Sequence, residues 1–474
     1  MEQNYVVYHL HDDKGSLLDS CTKWEDYVDL AASYGMKAIA STNHGYNLNW
    51  TEKKQYAEKK GLKFIVGCEV YLTSEIYHYP EIPDEVYESY QGWDPQEAQE
   101  EIGKMMDAER YKVRDNFHTI LLCKNARGVL ELNKIMGTSY DADHKYYKPR
   151  ITFEEFFGLS DNIIKISACL ASPLRKYMSE CDGFRQEVYD KLCETYDYYE
   201  IQYHDCDDQK EYNQYLWELS KKYHKPLIAA TDTHSLNAYK AECRKILMMG
   251  KGIEFTGEDE FDLTFKSYNE LVDAFTVQDA LPREVWMEAI ENTNRMADSV
   301  TDFTLSTKAR YPILTGTSES DANVYIKRTH DMLNDKIRRG IIPEYEVAQF
   351  KADVEEELTV FKKTNMLGFM LSMSDLMIWG KGEGIPFGPS RGSVAGSRCA
   401  FVTDIIDVDP ARWNLVFSRF CNENRVEIGD IDIDVPDAYR PMIYNHIFES
   451  FGREKCAYAV SYTHLRAHET TLHL

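Results

Sequence analysis

At 474 residues the chain is too long for one ordinary core, so about two to four domains are expected. A formal charge of −25 argues against a broad nucleic-acid surface, because phosphate binding runs on Lys and Arg, and leaves DNA contact to local sites or to parts lying outside this sequence. No run approaches the roughly 18 apolar residues of a membrane span, the start MEQNYVVYHLHDD lacks a signal-peptide layout, and the eleven cysteines are scattered without a CxxC pair, which places the chain in the cytoplasm with no membrane partner.

From residue 1 to about 240, short apolar runs (KAIAST, KFIVGCEVYLT, FHTILLC, NIIKISACL, KPLIAATDTH) alternate with amphipathic stretches such as TKWEDYVDLAASYG. That rhythm predicts an α/β domain with a mostly parallel sheet or barrel. Residues 76–115 interrupt it with an acidic, tyrosine-rich insertion, read as loop before Pro95 and as helix after it. From about 285 to 380 helical spacing dominates in EVWMEAIENTNRMADSV, VYIKRTHDMLNDKIRRG and ADVEEELTVFKKTNMLG, the last with Gly368 as its C-cap. A Gly/Ser loop, FGPSRGSVAGS, follows, then the apolar segment RCAFVTDIIDVDP and the stretch NRVEIGDIDIDVPD.

In NRVEIGDIDIDVPD, Asp430, Asp432 and Asp434 alternate with isoleucines, which on a strand puts three carboxylates on one face. Crowded carboxylates of this kind suit Mg²⁺, which takes carboxylate oxygens and leaves positions for phosphates. A solvated acidic edge strand is the plainer alternative. Potential metal ligands also recur at the predicted strand ends of the first domain: His9 and His11 in HLHDD, Asp19, His44 in TNHG, Glu69 in GCEVYL, His118 in NFHTI, Cys169 in SACLAS, and Asp232 with His234 in TDTHS. Imidazole, carboxylate and thiolate together suit Zn²⁺, Mn²⁺ or Fe²⁺, and a set this large could hold two or three ions.

HLH, TNHG, GCE and TDTH in this order resemble the polymerase and histidinol phosphatase (PHP) domain, a distorted (β/α) barrel with a trinuclear metal site. The resemblance assigns His9, His11, Asp19, His44, Glu69, His118, Cys169, Asp232 and His234 as ligands of up to three ions. The family usually carries Asp where this chain has Asn43, from which altered support of His44 is expected. The segment GIPFGPSRGSVAGS through DIDIDVPD resembles the palm of the C-family replicative polymerases, the alpha subunits of bacterial DNA polymerase III. That resemblance implies nucleotide-phosphate binding by Gly388, Ser390, Arg391, Gly392 and Ser393, two Mg²⁺ ions on Asp430 and Asp432, and support from Asp434. Ser390 stands in place of a glycine of the family pattern, and Gly429 replaces its proline.

The expected architecture is therefore α/β: a PHP barrel over 1–285, a helical connector and partial nucleotidyltransferase-like palm over 286–458, and a non-native tail over 459–474, whose His464, His468 and His473 are not read as a metal site. The resemblance implies a DNA-directed DNA polymerase acting on primer-template DNA and dNTPs, with a sliding clamp and proofreading or other replisome subunits as partners. The third catalytic aspartate, thumb and fingers would lie downstream, so this fragment is expected to be inactive alone. A PHP-type phosphoesterase or 3′–5′ exonuclease, and a non-catalytic replisome scaffold, are the alternatives.

Overall fold

The computed structural model describes residues 4–16, 19–79, 83–178, 185–253, 261–304, 311–422 and 430–456. The chain divides into two compact units, residues 1–304 and 305–474. The suspected tail and residues 423–429 lie outside the described residues.

The strands of the first unit are β1 (Ala38–Ser41), β2 (Lys63–Thr73), β3 (Tyr77–His78), β4 (Tyr111–Lys112), β5 (Phe117–Cys123), β6 (Arg150–Thr152), β7 (Ile163–Ile166), β8 (Tyr199–Gln202) and β9 (Leu227–Ala230). They close into a ring. β1 pairs with β2, β2 with β5 and β5 with β7; a bridge from Ile166 to Tyr198 leads to β8, which pairs with β9. The N-terminal segment completes the circle, bridging Val7 to Ile39 on one side and Leu10 to Thr233 on the other. β5 alone runs antiparallel to both neighbours, where the sequence rhythm predicted a mostly parallel arrangement. β2 and β5 are joined by the long connection that carries the two-stranded β3–β4 ribbon; the other pairs and bridges around the ring are parallel, as expected.

The helices of this unit are α1 (Trp24–Ser33), α2 (Trp50–Lys59), α3 (Asp84–Ser89), α4 (Pro95–Glu109), α5 (Ala126–Ser139), α6 (Phe153–Phe157), α7 (Pro173–Lys176), α8 (Gln186–Thr195), α9 (Asp207–Tyr223), α10 (Ala238–Gly250), α11 (Tyr268–Gln278) and α12 (Arg283–Ser299). Alternate strand residues face two cores. Val7, Ile39, Phe64, Val66, Leu121, Ile201 and Ala229 pack with Trp24, Tyr27, Leu132, Leu192 and Leu216 of the surrounding helices. Val6, Tyr8, Ala38, Ala40, Ile65, Ile120, Ile164, Ile166, Ile228 and Ala230 form a second cluster with Met296 and Ala297 of α12. This packing places α12 in the first unit and moves the boundary from the expected 285 to 304; Asn292 Nδ2 also donates to the Leu227 carbonyl of β9 at 2.8 Å. In the insertion, α4 begins at Pro95 with the Asp94 carboxylate accepting from Gln96 N and Glu97 N. The preceding stretch, read as loop, contains α3.

The second unit contains α13 (Ser318–Arg338), α14 (Val347–Lys363), α15 (Leu367–Gly382), α16 (Arg398–Val402) and α17 (Arg440–Phe451). Gly368 is not a C-cap. α14 stops at Lys363, Asn365 takes the left-handed conformation (φ 58°) that breaks the run, and Gly368 falls in the first turn of α15. The described part of the aspartate segment forms no strand, and no strand occurs among the described residues of this unit. Its alternation survives without a ladder: Asp430, Asp432 and Asp434 are exposed while Ile431 and Ile433 are half-buried, and Ile431 packs on the helical core.

Candidate metal centre

All nine side chains singled out in the first domain meet at one end of the ring. Glu69, fully buried near the middle of β2, is their hub. Its Oε1 lies 2.8 Å from His118 Nδ1 and 3.4 Å from His9 Nε2, while Oε2 contacts His44 Nδ1 and lies 3.9 Å from His11 Nε2. Asp232 Oδ1 is 3.1 Å from His9 Nε2, 3.4 Å from His11 Nε2 and 3.5 Å from His234 Nδ1. Asp19 Oδ2 joins His44 Nε2 at 3.0 Å and His234 Nε2 at 3.4 Å, and Cys169 Sγ lies 3.7 Å from His118 Nδ1. Three ligand-sized groups result: His11, His44 and His234; His9, His11 and Asp232; His44, Glu69 and His118.

Local chain geometry makes this convergence possible. Glu69 N donates to the Asn43 carbonyl at 3.2 Å, so β2 carries Glu69 beside His44 as an extension of the β1–β2 pairing. Past β9 the backbone turns at Asp232, whose φ of 42° lies in the left-handed region. Asp232 and His234 both reach the centre despite that turn.

Three histidines have their tautomers set by groups that can only accept. His9 Nδ1 lies 2.8 Å from Glu200 Oε1, and His234 Nδ1 lies 2.9 Å from the Asp232 carbonyl. Ser16 Oγ donates to Asn43 Oδ1 at 2.9 Å, so its lone pair is left to accept from His11 Nδ1 at 3.1 Å. In each case Nδ1 is placed to donate, and Nε2 is the ring nitrogen that faces inward. Asn43 therefore supports His11 rather than His44 as expected, and its Oδ1 also accepts from Asp12 N at 2.8 Å.

Electrostatically the cage is a mutual compensation. Burial alone would raise Glu69, but His118 and His44 hold it well below the usual carboxylate range. Asp19 and Asp232 are likewise held far below that range against burial, Asp19 by His44 and His234, Asp232 by His9 and His234. Burial opposes the charging of His44, yet Glu69 and Asp19 raise it to about 10; burial followed by the neighbouring His44 and His234 pushes His11 well down. Burial, then Asp232 and Glu69, pushes the Cys169 thiol up.

The fit to metal rests on what stays unsatisfied. His9 Nε2, His11 Nε2, His44 Nδ1, Asp19 Oδ1, both Glu69 oxygens and Asp232 Oδ1 are buried without a well-aligned hydrogen bond. Native interiors rarely leave so many polar atoms unpaired in one place, and all belong to residue types that ligate Zn²⁺, Mn²⁺ or Fe²⁺. The donor set fits such ions.

Sequence reasoning missed the residues behind the ligands. Glu200 on β8 is 1 % exposed and accepts from Gln202 Nε2 at 2.7 Å and Tyr8 OH at 3.0 Å besides His9. Lys53, 2 % exposed, reaches Asp12 Oδ2 at 2.5 Å and Ser41 Oγ at 2.9 Å, behind Asn43, whose Nδ2 donates to the same Ser41 Oγ at 3.3 Å. The one available signal was an acid set among apolar residues in YEIQ.

In the second unit the Gly/Ser loop does lie beside the aspartates. Arg391 Nη1 is 3.0 Å from Asp434 Oδ1 and its Nε is 3.9 Å from Asp432 Oδ2, and Gly388 N donates to the Asp434 carbonyl at 2.9 Å. Gly392 adopts φ 73°, and a Cβ there would sit 3.1 Å from Asp432 Oδ2. Ser390 Oγ is buried without a partner, and Ser393 opens a 3₁₀ turn. Behind the loop, buried Glu357 of α14 accepts from Ser397 Oγ, Arg398 N and Cys399 N at 2.7, 2.8 and 2.9 Å. Among the described residues, Asp430, Asp432 and Asp434 do not gather into a metal-sized group, and two of them are engaged by Arg391.

A closed α/β ring with histidines, acids and a cysteine converging at one end is the fold of a PHP domain, and residues 8–204 match the family model of that name. Residues 326–472 match a second, described as bacterial DNA polymerase III alpha NTPase domain. Across both units the chain is similar to bacterial DNA polymerase III alpha subunits. It is 28% identical over 493 residues to that of Aquifex aeolicus (strain VF5), covering 99% of this chain and 39% of the relative, and 28% identical over 476 residues to that of Borreliella burgdorferi, covering 98% and 38%. The chain thus spans about two fifths of the length of these relatives. An amidohydrolase structure from Chromobacterium violaceum aligns with a TM-score of 0.26 at 15% identity, covering 48% of this chain and 87% of that one, too low to carry weight. No helix among the described residues is long and apolar enough to cross a membrane.

Proposed function

We propose that the barrel is a metal-dependent phosphoesterase centre within the amino-terminal part of a replicative DNA polymerase alpha subunit. The observation that carries the first half is the set of buried, unpaired donor atoms on His9, His11, Asp19, His44, Glu69 and Asp232; His118, Cys169 and His234 complete the ligands. Ions held there would polarise a phosphoester and lower the pKa of an attacking water. The chain's own contribution is orientation: Glu200, Ser16 and the Asp232 carbonyl each hold a Nδ1–H so that Nε2 is offered inward, and burial excludes bulk water from Glu69.

The second half rests on similarity over nearly the whole chain to named polymerase subunits. In that reading Arg391 and the backbone around Gly388, Ser390, Gly392 and Ser393 bind dNTP phosphates, Asp430 and Asp432 serve nucleotidyl transfer with Asp434 in support, and primer-template DNA, a clamp and other replisome subunits are the partners. Within this chain Arg391 pairs with Asp434 and lies near Asp432.

The test is metal analysis of the purified chain together with hydrolysis of bis(p-nitrophenyl) phosphate under added manganese. Bound transition metal and activity lost in Glu69→Ala are expected. A chain that holds no metal, and whose Glu69→Ala variant keeps wild-type stability, would instead be a scaffold.

A further inference from the structure

The Gly/Ser loop of the second unit is held at both ends, and the two holds differ in kind. At its head the fixings are main-chain: Gly388 N donates to the Asp434 carbonyl at 2.9 Å and Asp407 N to the Pro389 carbonyl at 2.7 Å, while Lys381 Nζ donates to Asp407 Oδ1 at 2.6 Å. At its tail one carboxylate takes over. Glu357, 2% exposed on α14, accepts from Arg398 N on Oε1 at 2.8 Å and from Ser397 Oγ and Cys399 N on Oε2 at 2.7 and 2.9 Å. Between the two holds lie Ser390, whose buried Oγ has no partner, Arg391, Gly392 at φ 73° and Ser393.

A carboxylate is an unfavourable choice for that place if packing were all it served. Glu357 lies on the buried face of α14 that it shares with Val354 and Phe361. The cation in the segment it holds turns elsewhere, Arg398 pairing with Asp353 at 3.0 Å and lying over the Phe350 ring. Burial pushes the Glu357 carboxyl up, opposed by the Cys399 and Arg398 amides and the Ser397 hydroxyl. A buried acid facing only neutral donors adds less stability than an apolar residue of similar volume. What it adds is direction: donors from three consecutive residues converge on two oxygens, which fixes one backbone path through 397–399. Any slack there passes straight to the loop, because Ser397 N donates to the Val394 carbonyl at 2.9 Å and Gly396 is seated so closely on Val416 that an added Cβ would lie 2.5 Å from its carbonyl oxygen.

We infer that Glu357 is a positioning residue for the Gly/Ser loop: by fixing 397–399 it sets where Ser390, Arg391 and Ser393 stand to receive the phosphates of a nucleotide. The inference rests on the phosphate-binding reading of that loop and adds to it a residue that touches no phosphate itself.

The experiment compares the 474-residue protein with Glu357→Gln, in which one oxygen becomes an NH₂ facing a donor, and with Asp353→Asn, which weakens the neighbouring Arg398 pair but leaves the three donors in place. Hydrogen exchange read by mass spectrometry over 388–399 is expected to be about tenfold faster in Glu357→Gln, the loss of one hydrogen bond to a charged group, while α13 and α15 of that variant, and the loop of Asp353→Asn, exchange as in wild type. Unchanged exchange over 388–399, or an acceleration spread equally over α13 and α15, overturns the positioning role. Calorimetric titration with dATP and Mg²⁺ is expected to show binding about tenfold weaker in Glu357→Gln and retained in Asp353→Asn; Glu357→Gln binding within about twofold of wild type likewise overturns the role. Wild-type protein that takes up no dATP, or full binding in Arg391→Ala, refutes the phosphate-binding reading instead, and the exchange measurement then decides the positioning role by itself.

Discussion

Glu200 offers the sharpest test of how the cage is held. Its Oε1 accepts from His9 Nδ1 at 2.8 Å and Gln202 Nε2 at 2.7 Å, and its Oε2 accepts from Tyr8 OH at 3.0 Å. Replacement by leucine would strand three buried donors at about 1–3 kcal/mol each, a large part of an ordinary domain's stability. Glu200→Gln is the informative change. Its amide oxygen can keep His9 and Gln202, and its NH₂ can face Tyr8, whose hydroxyl can turn to accept. What is lost is charge: a neutral carbonyl holds Nδ1–H less firmly and makes Nε2 a poorer ligand. Removal of such a supporting group costs about 10–100-fold in metal affinity, or about 1.4–2.7 kcal/mol. Titration of metal-stripped wild type and Glu200→Gln with Zn²⁺ against a chromophoric chelator reads this directly, and thermal unfolding of the stripped proteins checks that both fold. Affinities equal within twofold would refute the claim that Glu200 orients a metal ligand.

Three further outcomes follow from the same contacts. In metal-stripped protein, His44 gains its proton more readily folded (raised to about 10) than unfolded (near 6.5), so its contribution is complete below about pH 6.5 and is lost as pH rises towards 10; the melting temperature should fall between pH 7 and 10, and a flat profile would contradict the assignment. Lys53→Met leaves Asp12 buried without its cation and should cost about 3–5 kcal/mol in urea unfolding, with Asp12→Asn restoring much of it; a loss below about 1 kcal/mol would show that the pair is not the anchor of this loop. Gly392→Ala forces a side chain onto φ 73° and against Asp432 and should destabilise the second unit by about 1–3 kcal/mol while Zn²⁺ uptake by metal-stripped protein stays as in wild type; an unchanged unfolding midpoint would argue against that backbone conformation.

Residue spacing exposed the donors because chemistry there is local. His9 with His11, and Asp232 with His234, are pairs two apart, and each turns its two side chains to one place. The supporters were hidden because they act across the ring: Glu200 reaches His9 over 191 positions, and nothing in YEIQ names its partner. Asn43 looked like a weakened neighbour of His44, yet its amide works on Asp12 and Ser16, a direction only the folded loop sets. The period-two pattern of DIDID correctly indicated alternating exposure, but alternation fixes which way side chains point and not whether another strand lies alongside. Likewise a strand run such as FHTILLC carries no mark of its direction, so the reversal of β5 could not be read.

The circular order of strands has a consequence for how the centre comes into being. Its donors are drawn from positions 9 to 234, and the N-terminal stretch bearing His9 and His11 is stitched in by single bridges at Val7 and Leu10. The group of His44, Glu69 and His118 lies on the β1–β2–β5 arc, but the other two groups draw on His11 together with Asp232 or His234 across the seam. An ion held in either of those would report that the circle has shut, so a substitution that merely loosens the seam at Val7–Ile39 or Leu10–Thr233 should weaken binding there without touching a single ligand.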